Sequence, residues 1–325
     1  MSDYKTLKGI PVKAVSGDPT ALLGQVWYDS AASAFQVYKG IGAWSTGGTT
    51  NVARDGLAGC GTQTAGLIMG GTDETPFPGG AQNSTEEYNG VDWTAGENMT
   101  TARANVAGGG TQTAALVFGG SLGPSVPWKA ETESYDGTDW SEVGDLNEGR
   151  KLLGGVSQGS QTAALAAGGY DGSAVASSEE YNGTGWTEGE NLNTARSQLV
   201  GAGSQTAGLM FGGNPAMTNA EEYNGASWTA AEAMNTGKAL PGGAGSQIST
   251  VAAVGSPPGA IGVHTEEYDG TDWATGENVA TGRNAPGGFG AGTGAAGIAG
   301  GFITAVVNTT EEYTGAATAK TITAS

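Results

Sequence analysis

The chain has 325 residues, of which 60 are glycine, and its 13 lysine and arginine residues against 32 acidic residues give a net charge of −19. This negative charge argues against a nucleic-acid-binding surface and against charge-driven adhesion to an anionic membrane. One cysteine and one histidine exclude an internal disulfide and a thiolate metal site. No apolar run approaches the ~18 residues of a membrane span. We therefore expect a soluble, acidic β protein that binds no cofactor and no metal.

The first 43 residues differ from the rest of the chain. Residues 1–24 carry three lysines against two aspartates and show no repeat. We predict that this weakly basic arm anchors the chain in an assembly through Tyr4, Lys5, Lys8 and Lys13; the alternative is a terminus without fixed structure. Residues 25–43 contain two alternating runs, QVWYD and AFQVY, around small residues, which predicts a β-hairpin leading into the next domain.

A repeat of about 45 residues dominates the remainder. Tryptophans recur at intervals of 42 to 49 residues, at Trp44, Trp93, Trp140, Trp186, Trp228 and Trp273. Ten residues after each tryptophan comes a cation: Arg54, Arg103, Arg150, Arg196, Lys238 and Arg283. A segment such as TQTAGLIMGG follows, and then one or two acidic residues and a tyrosine: Tyr88, Tyr135, Tyr181, Tyr223, Tyr268 and Tyr313. Six units of this period indicate a propeller or solenoid.

Each unit is predicted to form four short strands. Runs of alanine, valine, leucine and aromatic residues alternate with glycine, asparagine and aspartate turns. Turns such as YNGVDW supply the positive φ of a tight hairpin, and the small residues of ANVAGGG suit a strand crowded around an axis. A single unit buries too little surface alone, whereas a closed ring of six blades buries every face.

Two closures of the ring are consistent with the offsets. Tyr313 ends a third strand without a tryptophan after it, and Trp44 opens a fourth strand without a regular repeat before it. We favour pairing of these two strands, which gives a propeller over residues 44–318 and a tail over 319–325. In the alternative, residues 316–324 supply the outer strand and residues 25–45 lie outside the ring.

The double glycine at a strand end, followed by a tyrosine and a tryptophan once per unit, resembles the kelch repeat, which forms β-propellers. The resemblance covers about residues 44–318; the double glycine becomes Val254-Gly255 in one unit and Thr318 stands at the last tryptophan position. The expected fold is therefore an all-β, six-bladed, kelch-like β-propeller with an extended N-terminal arm and hairpin. The WYD…VY hairpin segment is similar to hairpins of bacteriophage tail-fibre and other virion proteins. An arm and hairpin that lead straight into kelch-like repeats are similar to predicted structural proteins of marine phages.

For the residues that could bind a ligand or take part in catalysis, we favour structural roles. The six repeated cations are expected to pair with the glutamates before the tyrosines, rather than to form an anion site on the axis, and the tryptophans and tyrosines to pack between blades. The Asp-Gly turns are interpreted as turns rather than calcium loops, Cys60 as a small buried residue and His264 as solvent-facing. One histidine and one cysteine are too few for copper-radical oxidation, and we expect no enzyme and no catalytic residue.

Loop variability gives the candidate binding site. In an up-and-down blade, the loops between strands one and two and between strands three and four lie on one face, which we call the turn face. The loops between strands two and three lie with the linkers between blades on the opposite face, which we call the loop face. The loops of the loop face vary most among the units, and recognition on a rigid scaffold usually resides in such loops. The candidate ligand-binding residues there are Phe77, Trp128, Tyr170, Met217, His264 and Phe302.

The resulting functional hypothesis is a virion structural or adhesion protein. Its arm would contact other virion proteins, its loops would bind a host surface glycan or receptor, and it would assemble as a homo-oligomer in the particle, made in the host cytoplasm. Neither nucleic acid nor a membrane is an expected partner. Two alternatives remain open: a glycan-binding or glycan-active propeller unrelated to virions, and an intracellular kelch-type interaction module.

Overall fold

The structure is a computed structural model that describes residues 4–7, 10–15, 26–29, 34–37, 42–73, 80–123, 128–256 and 261–315. Two compact units are present, one comprising Met1–Ala43 with Gly315–Ser325 and the other Trp44–Thr314. Every regular element in the described ranges is a β-strand, and no described helix is long and apolar enough to cross a membrane.

The first unit contains one four-stranded sheet. Its strands, in sheet order, are β1 (Tyr4–Leu7), β2 (Ile10–Val15), β3 (Val26–Asp29) and β4 (Ala34–Val37). β3 and β4 pair antiparallel, as in the predicted hairpin, and β2 pairs parallel to β3. β1 and β2 pair antiparallel within the predicted arm, with Tyr4 opposite Lys13 and Lys5 opposite Val12. Lys8 lies outside the described residues.

The second unit consists of six four-stranded sheets, the blades of a β-propeller. Blades 1 to 3 comprise, from the axis outward, β6 (Ala58–Thr62), β7 (Ala65–Met69), β8 (Thr85–Tyr88) and β9 (Trp93–Ala95); β10 (Ala107–Thr111), β11 (Ala114–Phe118), β12 (Thr132–Tyr135) and β13 (Trp140–Val143); β14 (Gly154–Gly155), β15 (Ala164–Ala167), β16 (Ser178–Tyr181) and β17 (Trp186–Glu188).

Blades 4 to 6 repeat this order. They comprise β18 (Val200–Ser204), β19 (Ala207–Phe211), β20 (Ala220–Tyr223) and β21 (Trp228–Ala230); β22 (Gly242–Ser246), β23 (Ser249–Ala253), β24 (Thr265–Tyr268) and β25 (Trp273–Thr275); β26 (Gly287–Gly292), β27 (Ala295–Ala299), β28 (Thr310–Thr314) and β5 (Ala43–Thr46). Each inner strand contacts the next around the axis, and β26 returns to β6, so the ring is closed.

The favoured closure is confirmed by the outer strand of blade 6. This strand is β5, which lies beside β28, so the earliest strand of the propeller completes its last blade. The ring of Trp44 lies 5.0 Å from that of Tyr313, and Gly47 N–H donates to the carbonyl of Thr310 at 3.0 Å. Residues 316–325 lie outside the described residues, whereas Trp44 fills the position that the repeat assigned to Thr318.

Small residues build the inner strands because adjacent blades approach each other closely there. A Cβ on Gly59 would lie 2.6 Å from the carbonyl oxygen of Gly288 in the neighbouring inner strand. The double glycine after the second strand has a similar role. Gly70 and Gly71 adopt φ of 67° and 99°, and a Cβ on Gly70 would lie 2.6 Å from the carbonyl oxygen of Arg103 in blade 2. Neighbouring blades therefore also approach each other closely at the glycine pair.

The antiparallel order of the blades defines the two faces. Inner strands run from the loop face to the turn face, so the third strand of each blade also ends at the turn face. In blade 6 that strand is β28, and its antiparallel neighbour β5 begins at the same face. The chain therefore both enters and leaves the propeller at the turn face, opposite the variable loops.

Candidate functional site

The six repeated cations are buried and paired within their own blades. Five of them lie 2.8 to 3.4 Å from the first glutamate of the third strand: Arg54–Glu86, Arg103–Glu133, Arg150–Glu179, Arg196–Glu221 and Lys238–Glu266; Arg283–Glu311 is the sixth pair. Burial lowers the pKa of the Arg54 guanidinium, and the charge of Glu86 opposes that shift. The favoured structural interpretation of these residues is confirmed, and they are not available to a ligand.

The first glutamate also fixes the linker that enters its blade. The carboxylate of Glu86 accepts hydrogen bonds from the backbone and side-chain nitrogens of Asn51, at 2.6 and 2.8 Å. Glu133 accepts in the same way from Thr100 N–H at 2.6 Å. The Arg103 guanidinium donates to the carbonyls of Gly119 and Glu131. The Arg103–Glu133 pair thus joins the linker, the double glycine and the third strand of blade 2, while the buried Nε of Arg103 has no hydrogen-bond partner.

The second glutamate connects neighbouring blades. Five of the six repeated tyrosine hydroxyls donate to the second glutamate of the preceding blade, for example Tyr135 to Glu87 at 2.6 Å and Tyr268 to Glu222 at 2.8 Å. The other bonds of this kind are Tyr88–Glu312, Tyr223–Glu180 and Tyr313–Glu267. Burial and Glu312 raise the pKa of Tyr88 to about 12. In blade 2 the position is occupied by Ser134, so Tyr181 faces a blade that lacks the second glutamate.

Tryptophans and glutamines add further contacts between blades. The indole N–H of Trp93 donates to Thr310 Oγ1 of blade 6 at 2.8 Å, and that of Trp140 to Thr85 Oγ1 of blade 1 at 3.1 Å. Gln112, in the loop between the first and second strands of blade 2, donates to the carbonyls of Gly66 and Tyr88 in blade 1. These aromatic residues pack between blades, as predicted, so they do not form a sugar-stacking set.

The remaining single residues behave as their structural interpretations predict. Asp136 Oδ1 accepts hydrogen bonds from the backbone N–H groups of Asp139 and Thr138 at 2.9 Å, which lower its pKa and make the segment a turn. Cys60 is completely buried, and burial raises its thiol pKa to about 12. His264 is exposed. No cluster of metal-ligating side chains occurs within the described part of the chain.

Among the candidate loop residues, the structure brings two together. The rings of Trp128 in blade 2 and Tyr170 in blade 3 lie 5.6 Å apart in an edge-to-face arrangement. Lys151 Nζ lies 4.5 Å from the centre of the Trp128 ring, and burial lowers the pKa of that lysine. We call these three residues the aromatic shelf. Met217 and Phe302 are half-buried and His264 exposed, each in its own blade, while Phe77 lies outside the described residues.

A ring of backbone hydrogen bonds encircles the axis at the loop face. Its members stand two residues after each repeated cation, and each N–H donates to the carbonyl of the preceding member at 2.7 to 3.0 Å; the members are Gly56, Asn105, Leu152, Gln198, Leu240 and Ala285. All six have φ between 51° and 62°, a conformation that costs non-glycine residues roughly 1 kcal/mol or more. We call this feature the axial ring; its closure compensates for that strain.

Inside the axial ring lies a cavity of about 90 Å³, which we call the axial cavity. The residue after each ring member forms an apolar belt of Leu57, Val106, Leu153, Leu199, Pro241 and Pro286. Blade 3 carries two extra residues after its short inner strand, and Ser157 Oγ donates across the axis to the carbonyl of Gly245 at 3.4 Å. This contact lies toward the turn face, so the axial cavity has its ring-lined mouth at the loop face.

One acidic group lies beside this mouth. Asp55 immediately precedes Gly56 of the axial ring, and its backbone pairs with that of Thr72. Burial raises the pKa of Asp55 to about 6. The equivalent residues of the other blades are Ala104, Lys151, Ser197, Ala239 and Asn284, so one acid and one lysine occupy this position around the mouth.

Several of these residues could not be assigned by reading the loops alone. Asn105, Leu152 and Gln198 lie in a motif that otherwise repeats, between the cation and the inner strand. Aligning the six repeats of the chain with one another reveals two variable columns there, one and two residues after the cation. That signal identifies the mouth of the axial cavity as a second variable region on the loop face.

Comparison of the chain with models of known protein families and with curated protein sequences gives no match.

Proposed function

We propose that this chain is a non-enzymatic structural and adhesion protein of a bacteriophage particle. Its N-terminal residues hold it in the particle, and its loop face binds a host surface glycan or protein. The kelch-like repeat and the tail-fibre-like hairpin described from the sequence suggest this class of protein, and the propeller supplies a rigid scaffold for display.

The observation that carries the proposal is the closure of blade 6. Because β5 begins, and β28 ends, at the turn face, the preceding residues are joined to the propeller at that face. The variable loops and the axial cavity are at the opposite side of the disc. A propeller anchored through the residues before β5 has its variable loops at the face opposite that junction.

The distribution of constant and variable residues supports the same conclusion. The repeated cations, tryptophans, tyrosines and glutamates are engaged within or between blades, for example Arg54 with Glu86 and Tyr135 with Glu87. The turn face therefore repeats from blade to blade. Residues that differ between the blades, such as Trp128 and Asp55, lie at the loop face, where recognition by rigidly held loops is expected.

Mass spectrometry and immunogold labelling of purified particles test the location. We expect the full-length chain in the particles, with antibodies against the loop face reaching it. In a full-length variant with Lys5, Lys8 and Lys13 all changed to Gln, incorporation should fall severalfold. Lys129→Gln, which removes one lysine of the loop face, is the control and should incorporate normally. A chain that is absent from purified particles contradicts the proposal.

The two alternatives give different results in the same experiments. Release of reducing ends from bacterial polysaccharide by the purified protein would support a glycan-active enzyme. Recovery of the chain only in infected-cell lysate, bound to a cellular protein and absent from particles, would support an intracellular interaction module.

A further inference from the structure

We propose that the axial cavity and the aromatic shelf together form a binding site for the terminal residue of a neutral saccharide. This inference rests on the proposed function, because it assigns a ligand class to the loop face. It also adds a site, the cavity mouth, that the variable loops alone do not indicate.

The walls of the cavity set the first requirement on the ligand. The apolar belt, which includes the buried side chains of Leu57, Val106 and Leu199, lines the cavity. No residue that lines the cavity carries an ionisable side chain. A charged group entering this space would lose its hydration without gaining a counter-ion, which is strongly unfavourable. The cavity therefore selects neutral ligands.

The mouth sets the second requirement. Asn105 and Gln198 place amide side chains on the axial ring on either side of Leu152. Amides both donate and accept hydrogen bonds, which suits hydroxyl groups. Below the ring, the inner strands are the edges of their sheets and pair with no further strand, so peptide groups also face the axis. A ligand with hydroxyls at its edge and C–H bonds on its faces meets both requirements, and a pyranose has this construction.

The aromatic shelf extends the site away from the axis. Lys151 directly precedes Leu152 of the axial ring, and its backbone pairs with that of Tyr170. Lys151 Nζ lies over one face of the Trp128 ring, 4.5 Å from its centre, and the rings of Tyr170 and Trp128 pack edge to face at 5.6 Å. A tryptophan fixed in this way loses little conformational entropy when a ligand stacks on it. The shelf can hold the second sugar of a chain whose first sugar is in the mouth.

The shape of the cavity limits how much of a glycan can enter. Ser157 crosses the axis to Gly245, so the channel is obstructed toward the turn face. A polysaccharide cannot pass through the propeller. The site accordingly recognises a chain end rather than the interior of a polymer, with the remaining sugars extending over the loop face.

Saturation-transfer NMR on the full-length protein tests the proposal. The probes are maltotriose, chitotriose and cellotriose as neutral ligands, and sialyllactose and trigalacturonate as anionic ones. The first variant carries Asn105→Gly and Gln198→Gly, which remove both amides while suiting the positive φ of the ring. The second is Trp128→Ala. The matched control is Ile248→Ala, an exposed residue of the turn face.

We expect binding of at least one neutral trisaccharide and of neither anionic one. Each site variant should weaken that binding by about tenfold, as loss of one or two hydrogen bonds or of a stacking surface does, and Ile248→Ala should leave it unchanged. Circular dichroism melts show whether each variant is folded. Binding of anionic probes alone, or equal binding by the native protein and both folded site variants, would overturn the proposal.

A parallel measurement of binding to host cells separates this inference from the proposed function. If the native protein and the amide double variant bind cells equally, and no neutral trisaccharide binds, the saccharide site is wrong while the adhesion function stands. If neutral trisaccharides bind as expected but the protein neither occurs in particles nor binds cells, the site stands and the adhesion function fails.

Discussion

The hydroxyl of Tyr135 in blade 2 donates a hydrogen bond of 2.6 Å to the carboxylate of Glu87 in blade 1. Five of the six boundaries between blades carry such a bond. The exception is the boundary between blades 2 and 3, where Ser134 replaces the glutamate opposite Tyr181. A substitution that restores the missing carboxylate at this boundary should therefore stabilise the propeller.

We predict that Ser134→Glu stabilises the propeller by about 1.5 kcal/mol, the lower end of the net contribution of a hydrogen bond to a charged group. Chemical denaturation measures the free energy of unfolding. The control is the same substitution in a Tyr181→Phe background, where the new carboxylate has no hydroxyl partner and the gain should disappear. Equal gains in both backgrounds would show that the hydrogen bond is not the cause.

The buried ion pairs predict a contrast between two glutamates of blade 2. Glu133→Gln leaves the buried Arg103 guanidinium without its counter-charge, and we expect a loss of about 3 kcal/mol. Glu131→Gln disrupts only the partly exposed pair with Lys129 and should cost less than about 1 kcal/mol. Denaturant titration of each variant measures the loss in the free energy of unfolding. Losses of similar size would mean that burial of the pair does not determine its contribution.

The axial ring predicts that glycine is favoured at one of its alanines. Ala285 has a φ of 51°, which glycine adopts without strain. Ala285→Gly should raise the free energy of unfolding by about 0.5 kcal/mol, because relief of strain exceeds the entropy that glycine adds to the unfolded chain. Ala102→Gly, in a linker where φ is not positive, should lower it by a similar amount. Destabilisation by both substitutions would contradict the strain argument.

The raised pKa of Asp55 leads us to predict that the stability of the propeller depends on pH. Burial raises its pKa from an ordinary 3.8 to about 6, so the folded protein binds this proton more tightly than the unfolded chain does. Stability from this group is complete below pH 4 and is lost as the pH rises to about 6. Asp55→Asn should therefore raise the melting temperature at pH 7.5 by a few degrees and change it little at pH 4. A difference between variant and native protein that is independent of pH would refute this explanation.

The six-fold architecture and its closure were predictable because their signals are spacings within the sequence. The Tyr313 strand lacked a following tryptophan and the Trp44 strand lacked a preceding repeat, so each completed the other. The pairing of Arg103 with a glutamate followed from equal numbers of the two residue types. These features lie within one blade or depend on the order of the blades. The spacing of repeated residues along the sequence therefore reveals them.

Other parts of the site could not be predicted, for physical reasons. Leu152 and Leu240 have no intrinsic preference for a positive φ, so the axial ring arises only when six neighbours supply hydrogen bonds. Trp128 and Tyr170 belong to different blades and meet through the curvature of the ring. Ser157 reaches across the axis because blade 3 has two extra residues, and their direction is set by packing. The tyrosine–glutamate bonds also join different blades, so no local spacing reveals them.

The pairing of β5 with β28 has a consequence for synthesis. The ribosome makes the strand around Trp44 first among the strands of the disc and the strand around Tyr313 last. Some 270 residues separate the two tyrosine- and tryptophan-bearing strands, so the entropy lost on joining them is among the largest in the chain. Nascent blades can form in succession, but the disc cannot close until the strand around Tyr313 has been synthesised. A ribosome that stalls before Thr310 would therefore hold an open arc of blades.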